Sequence, residues 1–426
     1  MIVCVLIISQ IKGKTMKKKY CRFCGKEIKH GFIDLGLSPL SNSYIKKENY
    51  GCSQRFFPLN VGVCENCFLV QTTGEYDTPE EIFSDYAYFS SYSSSWLKHA
   101  KEYVDFVTDK FKLTKKSFVV EVASNDGYLL QYFKEKNIPI LGIEPAHNVA
   151  TVAVKEREIP TLSEFFTQEL AKKLAIKQKA DLIIGNNVLA HVPNINDFVS
   201  GLRGLLSDTG FITMEFPHLL ELIKNNQFDT IYHEHFSYLS LSVVERIFNK
   251  HELKIFDVQQ LRTHGGSLRI FACHESCSKY EESNSVNKIR NIEKKAQFNT
   301  IDGYLSFEQN AKKVKRDLLS ALIRIKEEGK SIVAYGAAAK GNTLLNYCGI
   351  RQDFIDYAVD KSPYKQDTYL PGSCIPVYAP QKILETKPDY ILILPWNLRS
   401  EITKELEYVK QWNCKFIVAI PHIEIF

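Results

Sequence analysis

The sequence predicts an α/β protein of three parts: a small zinc-binding N-terminal module, a central Rossmann-like domain and a C-terminal Rossmann-like α/β domain. Three observations predict it. Two C-x-x-C pairs occur between residues 21 and 67, short apolar runs alternate with helical stretches from Trp96 onward, and a second alternation follows a polar stretch from about Ser278 to Arg316. Strands that alternate with helices imply a parallel sheet covered on both faces. The polar connector favours two such sheets over one continuous sheet. The parts are placed at residues 16–80, 81–280 and 281–426. Residues 1–15 are read as an extension upstream of Met16, with no assigned function.

The chain of 426 residues is long enough for two or three cores, and no stretch approaches the roughly 20 apolar residues of a membrane-spanning helix. The formal net charge is +5 and the basic residues are scattered apart from Lys17, Lys18 and Lys19, so neither nucleic acid nor a membrane is an expected partner. The opening MIVCVLIISQIK lacks a basic start and is followed by lysines, unlike a secretory signal. Eleven cysteines, four of them in C-x-x-C pairs, point to a reducing, cytoplasmic location and to a metal.

In the N-terminal module, LGLSPLSNSY reads as a loop, and FFPLNVGVC and CFLVQTT read as short strands around the second cysteine pair. Cys21, Cys24, Cys64 and Cys67 can supply the four corners of a tetrahedral zinc site. A closed set of four thiolates leaves no position for substrate, so this zinc is read as structural. Four free thiols or an iron–sulfur cluster are the alternatives.

The central part opens with a helix, WLKHAKEYVDFVTDKF, followed by the strands SFVVEVA, IPILGIEP, ADLIIGNN and GFITMEF. LKIFDVQQL and SLRIFACHE then read as a closing antiparallel hairpin. After SFVVEVA, the turn SNDG places Asn125, Asp126 and Gly127 between strand and helix, and Glu144 ends the next strand, where a carboxylate can bind ribose hydroxyls. The single glycine does not match the three of a dinucleotide fingerprint. S-Adenosylmethionine has no phosphate to cradle and suits such a turn, with Glu121 a candidate for its amine. Asn186, Asn187 and His191 fall at the carboxyl edge of the same sheet, where ligands of open α/β folds bind.

Tyr232, His233, Glu234 and His235 bring acid, base and donor types into one short segment. In an extended strand 232 and 234 share one face and 233 and 235 the other, so one site can use both faces only if the segment turns. The segment RTHGGSLRI offers His264, Gly265, Gly266 and Arg269, read either as a substrate-closing loop with a phosphate-binding arginine or as a tight turn before a strand. In the C-terminal part, Gly336 and Gly341 bracket a strand-to-helix turn with Lys340 and Asn342 beside it, read either as a diphosphate site or as packing. Asp360 ends the following strand as Glu144 does.

Together CRFC, CENC, EVASNDGYLL, GIEPAHNVA, NNVLAHVPN, YHEHFSYLS, THGGSLRI, YGAAAKGNTLLN and VDKSPYKQDTYLPGSCIPV resemble the three-domain, zinc-containing nucleotide-sugar C-methyltransferases, from about Cys21 to the C-terminus. The resemblance implies methyl transfer from S-adenosylmethionine to a ring carbon beside the ketone of a nucleotide-linked, often dTDP-linked, deoxysugar. It implies His235 as base, with Tyr232, Glu234, His191 and a preceding tyrosine near the sugar; Tyr88 is preferred to Tyr86. Ala123 departs from the family, which has glycine there. The alternatives are an O- or N-methyltransferase on the same fold and, more remotely, a nucleic-acid-binding protein.

Overall fold

The computed structural model describes residues 18–74 and 89–426. Its centre is a seven-stranded sheet in the order Leu253–Leu261, Ser267–His274, Leu206–Pro217, Ala180–Asn186, Val119–Val122, Ile140–Ile143 and Thr161–Leu162. The last five strands of that order run parallel, and Ser267–His274 pairs antiparallel with both of its neighbours. Strand order reverses beside Val119–Val122, so a crevice opens between its carboxyl end and that of Ala180–Asn186.

The strand sequences are apolar throughout because both faces are covered. Val120, Ile183 and Ile212 pack on the side of the helix Ile195–Leu205. Val119, Leu182, Ile184 and Phe211 pack with Tyr103, Val104 and Val107 of the helix Ser94–Phe111. Ser93 caps that helix, its hydroxyl accepting from the Trp96 amide.

The C-terminal domain repeats the design with six strands ordered Val377–Tyr378, Ala358–Val359, Ile332–Tyr335, Tyr390–Ile393, Lys415–Val418 and Glu424–Ile425, parallel except at the last. The polar connector forms two helices, Asn284–Lys295 and Phe307–Glu327.

The N-terminal module contributes His30–Ser38, Phe57–Val63 and Val70–Thr72 to an antiparallel sheet whose fourth strand is Ser237–Tyr238, from the central domain. The first strand corrects the sequence reading: LGLS belongs to it, and the loop starts only at Pro39. Ile33 and Leu35 point inward from that strand, and Phe32 stacks on Phe307 at 4.7 Å. Module, central domain and C-terminal domain thus share one continuous apolar core.

Candidate active site

The four cysteine sulfurs lie within 4.8 Å of one another, with Cys21–Cys67 and Cys24–Cys64 both at 3.5 Å. Tetrahedral zinc with bonds of about 2.3 Å spaces its sulfurs at about 3.8 Å, so the residues fit that ion. Gln71 Nε2 donates to Cys21 Sγ at 3.1 Å, a donor suited to a thiolate. Between the first two cysteines, Arg22 donates to the carbonyls of Thr72 at 2.6 Å and Phe236 at 3.3 Å. The knuckle therefore rests directly beside residue 235.

A cavity of about 480 Å³ lies at the carboxyl edge of the central sheet. Of the residues proposed for the cofactor, Ala123, Asn125, Glu144, Asn186 and Asn187 line it. Glu144 accepts from the Asn125 and Ala146 amides, both at 2.9 Å, and burial pushes its carboxyl up to about 7. The Oδ1 atoms of Asn186 and Asn187 are buried without a hydrogen bond among the described residues, acceptors that a polar ligand can satisfy. Val122, Ile143, Phe165 and Phe166 supply an apolar wall. A carboxylate for hydroxyls, open amide oxygens and an apolar slot fit S-adenosylmethionine.

Three residues of that set stand behind the cavity. Glu121 is fully buried, its carboxyl raised well above the usual range by burial and by the charges of Asp126 and Glu144. Asp126 accepts from the Ser91 amide at 3.3 Å and faces Arg157 at 3.6 Å. Gly127 admits protein rather than ligand: a Cβ there would meet Ile159 at 2.9 Å.

The Y-H-E-H segment is a turn, closed by the His235 amide donating to the Tyr232 carbonyl at 2.9 Å. Tyr232 and His235 consequently enter the cavity together, their ring centroids 4.0 Å apart, and His191 meets His235 edge-on at 4.6 Å. His235 Nδ1 donates to the Thr230 carbonyl at 2.8 Å, leaving Nε2 as the basic nitrogen. Burial, with His191 beside it, holds His235 well below the ordinary imidazole value, so it is neutral at physiological pH. Burial also lowers His191 to about 4.

Glu234 is turned away from this pair. Its carboxyl accepts from Asn42 of the N-terminal module at 2.6 Å and is raised to about 7 by burial, so its partner is the module and not His235. Tyr88 and Tyr86 lie outside the described residues.

Further corrections fall on the last two segments. Arg269 is not available to a phosphate: it is buried against Glu215 at 2.6 Å and over the Tyr103 ring. Burial opposes ionisation of Glu215, but Arg269 and His99 outweigh it and hold the carboxyl at about 2. Gly265, Gly266, Gly336 and Gly341 are required by protein contacts, since added Cβ atoms would meet Trp396, Glu221, Pro395 and Leu394 at 2.4, 2.6, 2.5 and 2.8 Å. Asn342 is buried and donates to the Ser41 carbonyl at 2.7 Å. His264 and Lys340 do line the cavity. Asn187 Nδ2 donates to His264 Nε2 at 3.0 Å.

Sequence reasoning missed Asn42, Ser90, Trp96, Tyr128 and Lys365, all on the cavity wall. Trp96 is one of only three tryptophans and opens the first helix of its domain, the one signal that was present. Asn42 and Lys365 come from other domains and carried none.

Three families match in tandem: a zinc binding domain over residues 21–83, a methyltransferase domain over 96–258 and a C-methyltransferase C-terminal domain over 262–421. Fold, cavity and matches together define an S-adenosylmethionine-dependent methyltransferase. The C-methyltransferase NovU of Streptomyces niveus is 34% identical over 403 residues, 94% of this chain and 95% of that protein. The chain belongs to the zinc-module C-methyltransferase family. Among solved structures, the magnesium protoporphyrin IX methyltransferase ChlM of Synechocystis PCC 6803 with bound SAM matches at TM-score 0.32 and 14% identity, over 42% of this chain and 79% of that one. The PH0226 protein of Pyrococcus horikoshii OT3 matches at TM-score 0.37 and 14% identity, over 47% and 100%. Scores this low carry no argument.

Proposed function

We propose that the protein methylates a ring carbon beside the ketone of a nucleotide-linked deoxysugar, with His235 as the base. The nucleotide linkage, often dTDP, the cytoplasmic location and the division of the chain near residues 80 and 280 belong to the same proposal. S-Adenosylmethionine, when bound, supplies an electrophilic methyl group. Glu144, Asn186, Asn187 and Ala123 would hold it.

The chain's own residues handle the proton. A hydrogen beside a ketone is acidic because the carbanion delocalises as an enolate, and its removal needs a neutral base and donors near the carbonyl oxygen. The observation that carries the proposal is the hydrogen bond from His235 Nδ1 to the Thr230 carbonyl, which directs the lone pair of Nε2 away from that carbonyl in a residue that lines the cavity. Tyr232 and His264 are uncharged donors in the same chamber, whereas His191 gives its N–H to the Glu234 backbone carbonyl.

The test is to incubate the protein with S-adenosylmethionine and a panel of dTDP-linked 3-keto and 4-keto deoxysugars and to measure product masses. A gain of one methyl group on carbon is expected. His235→Asn should lower turnover by about 10²–10⁴-fold while S-adenosylmethionine still binds. Near-normal turnover in that variant, or methyl on oxygen or nitrogen, would reject the assignment.

A further inference from the structure

One wall of the cavity is built by the C-terminal domain, from Ala338, Ala339, Lys340 and Lys365. The two lysines are held differently. Lys365 donates to the Ala337 carbonyl at 2.9 Å and faces Asp360 at 3.6 Å, so its charge is answered within the fold. Lys340 donates to Asn397 Oδ1 at 2.7 Å and lies over the Trp396 ring at 4.9 Å, and among the described residues it makes no ion pair.

Its surroundings fix its position. The Trp396 indole N–H donates to Asp229 Oδ2 at 2.7 Å, and the Gly265 backbone presses on the same indole, where a Cβ would meet it at 2.4 Å. An ammonium group has three N–H donors. One is used on Asn397 and the indole face takes the charge from another side, which leaves donor capacity for the cavity. The charge of Lys340 is felt by both His235 and His264. Burial lowers the Lys340 ammonium below its ordinary value and the Asp229 carboxylate opposes that shift, so Asp229 supports the charge that stands beside the neutral imidazoles.

We propose that Lys340 is the catalytic cation that faces the enolate oxygen, and not a ligand for the sugar-nucleotide diphosphate. This rests on the proposed deprotonation of a keto-sugar carbon. In that step His235 Nε2 takes the proton, the C–H electron pair becomes the new C=C bond, and the carbonyl π pair moves onto oxygen. Tyr232 and His264 can donate hydrogen bonds to that oxygen, but neither brings a positive charge. A charge-assisted bond in a water-poor chamber is the stronger stabiliser of a developing anion. A diphosphate carries several negative charges and suits a site with many donors. Lys340 is a single half-buried lysine, and the buried Asp229 beside it leaves too little net positive charge for such a group.

Hydrogen exchange separates the two roles. In D2O, with S-adenosylhomocysteine in the cofactor site, a dTDP-4-keto-6-deoxyhexose should lose the hydrogen beside its ketone, read by mass spectrometry and NMR. Lys340→Met should slow that exchange by about 10²–10³-fold at saturating sugar nucleotide, with Lys340→Arg between the two. Its affinity for dTDP alone, measured by calorimetry, should stay within about threefold of the parent. Unchanged exchange in Lys340→Met, or dTDP binding weakened by about tenfold or more with exchange at saturation intact, would overturn the inference. If Lys340→Met does not fold by circular dichroism, Asn397→Leu, which releases Nζ from its anchor, takes its place under the same criteria. Absence of exchange in the parent protein would instead remove the keto-sugar proposal itself.

Discussion

Ala123 has a φ of +56°, a left-handed conformation that costs an alanine about 1–2 kcal/mol relative to a right-handed one. The sequence marked the position as a departure from a glycine, and the backbone angle supplies the reason glycine is preferred. Ala123→Gly should therefore raise stability by about 1 kcal/mol, read as a higher urea midpoint with unchanged slope. Asn187 and His264, at φ +54° and +52°, adopt the same conformation and hydrogen-bond to each other at the cavity. Backbone strain of this kind concentrates at functional sites. Arg269 illustrates the opposite limit. A lone arginine after two glycines reads as an anion ligand until Glu215, 54 residues earlier, is seen to hold it.

At the scale of elements, the strand ends after Ile143 and Val359 have the same grammar. Glu144 accepts from the Asn125 and Ala146 amides, and Asp360 accepts from the Ala337 and Ser362 amides. Only Glu144 lines the cavity; Asp360 faces Lys365. Glu144 titrates at about 7, raised chiefly by burial. Above that pH it is a carboxylate able to accept from ribose hydroxyls, and below it the proton removes that capacity. S-Adenosylmethionine should therefore bind most tightly above pH 7 and progressively more weakly as the pH falls through it. Glu144→Gln should lose about 1.5–3 kcal/mol of binding and flatten the pH dependence, both measurable by titration calorimetry. A variant that keeps the parental pH profile would show that another group sets it.

At the scale of the molecule, the turn that carries His235 is held from two sides. The zinc module adds Val70–Thr72 to Ser237–Tyr238, the Thr72 amide donates to the Phe236 carbonyl at 3.1 Å, and Arg22 donates to that carbonyl from the cysteine knuckle. From the C-terminal domain, Thr343 donates to the Ile231 carbonyl at 3.0 Å and Trp396 to Asp229. Chelation of zinc should thus release the turn without dismantling the cofactor edge. The expected result is loss of turnover with S-adenosylmethionine affinity within about threefold of the parent, measured beside zinc content. Loss of cofactor binding in parallel would mean that the module supports the whole fold instead.

The sequence by itself determined the cysteine quartet, the two alternating α/β units and the strand-end positions of Glu144 and Asn186. Each depends on spacing within a few turns or strands of chain. Tertiary structure alone decided that Tyr232 and His235 enter one chamber while Glu234 leaves it for Asn42, that Arg269 is consumed by Glu215, and that Lys340 arrives from another domain. Those outcomes depend on which distant groups meet a side chain once it is buried, and burial makes an unanswered charge or polar atom costly. Local pattern carries no record of that partner.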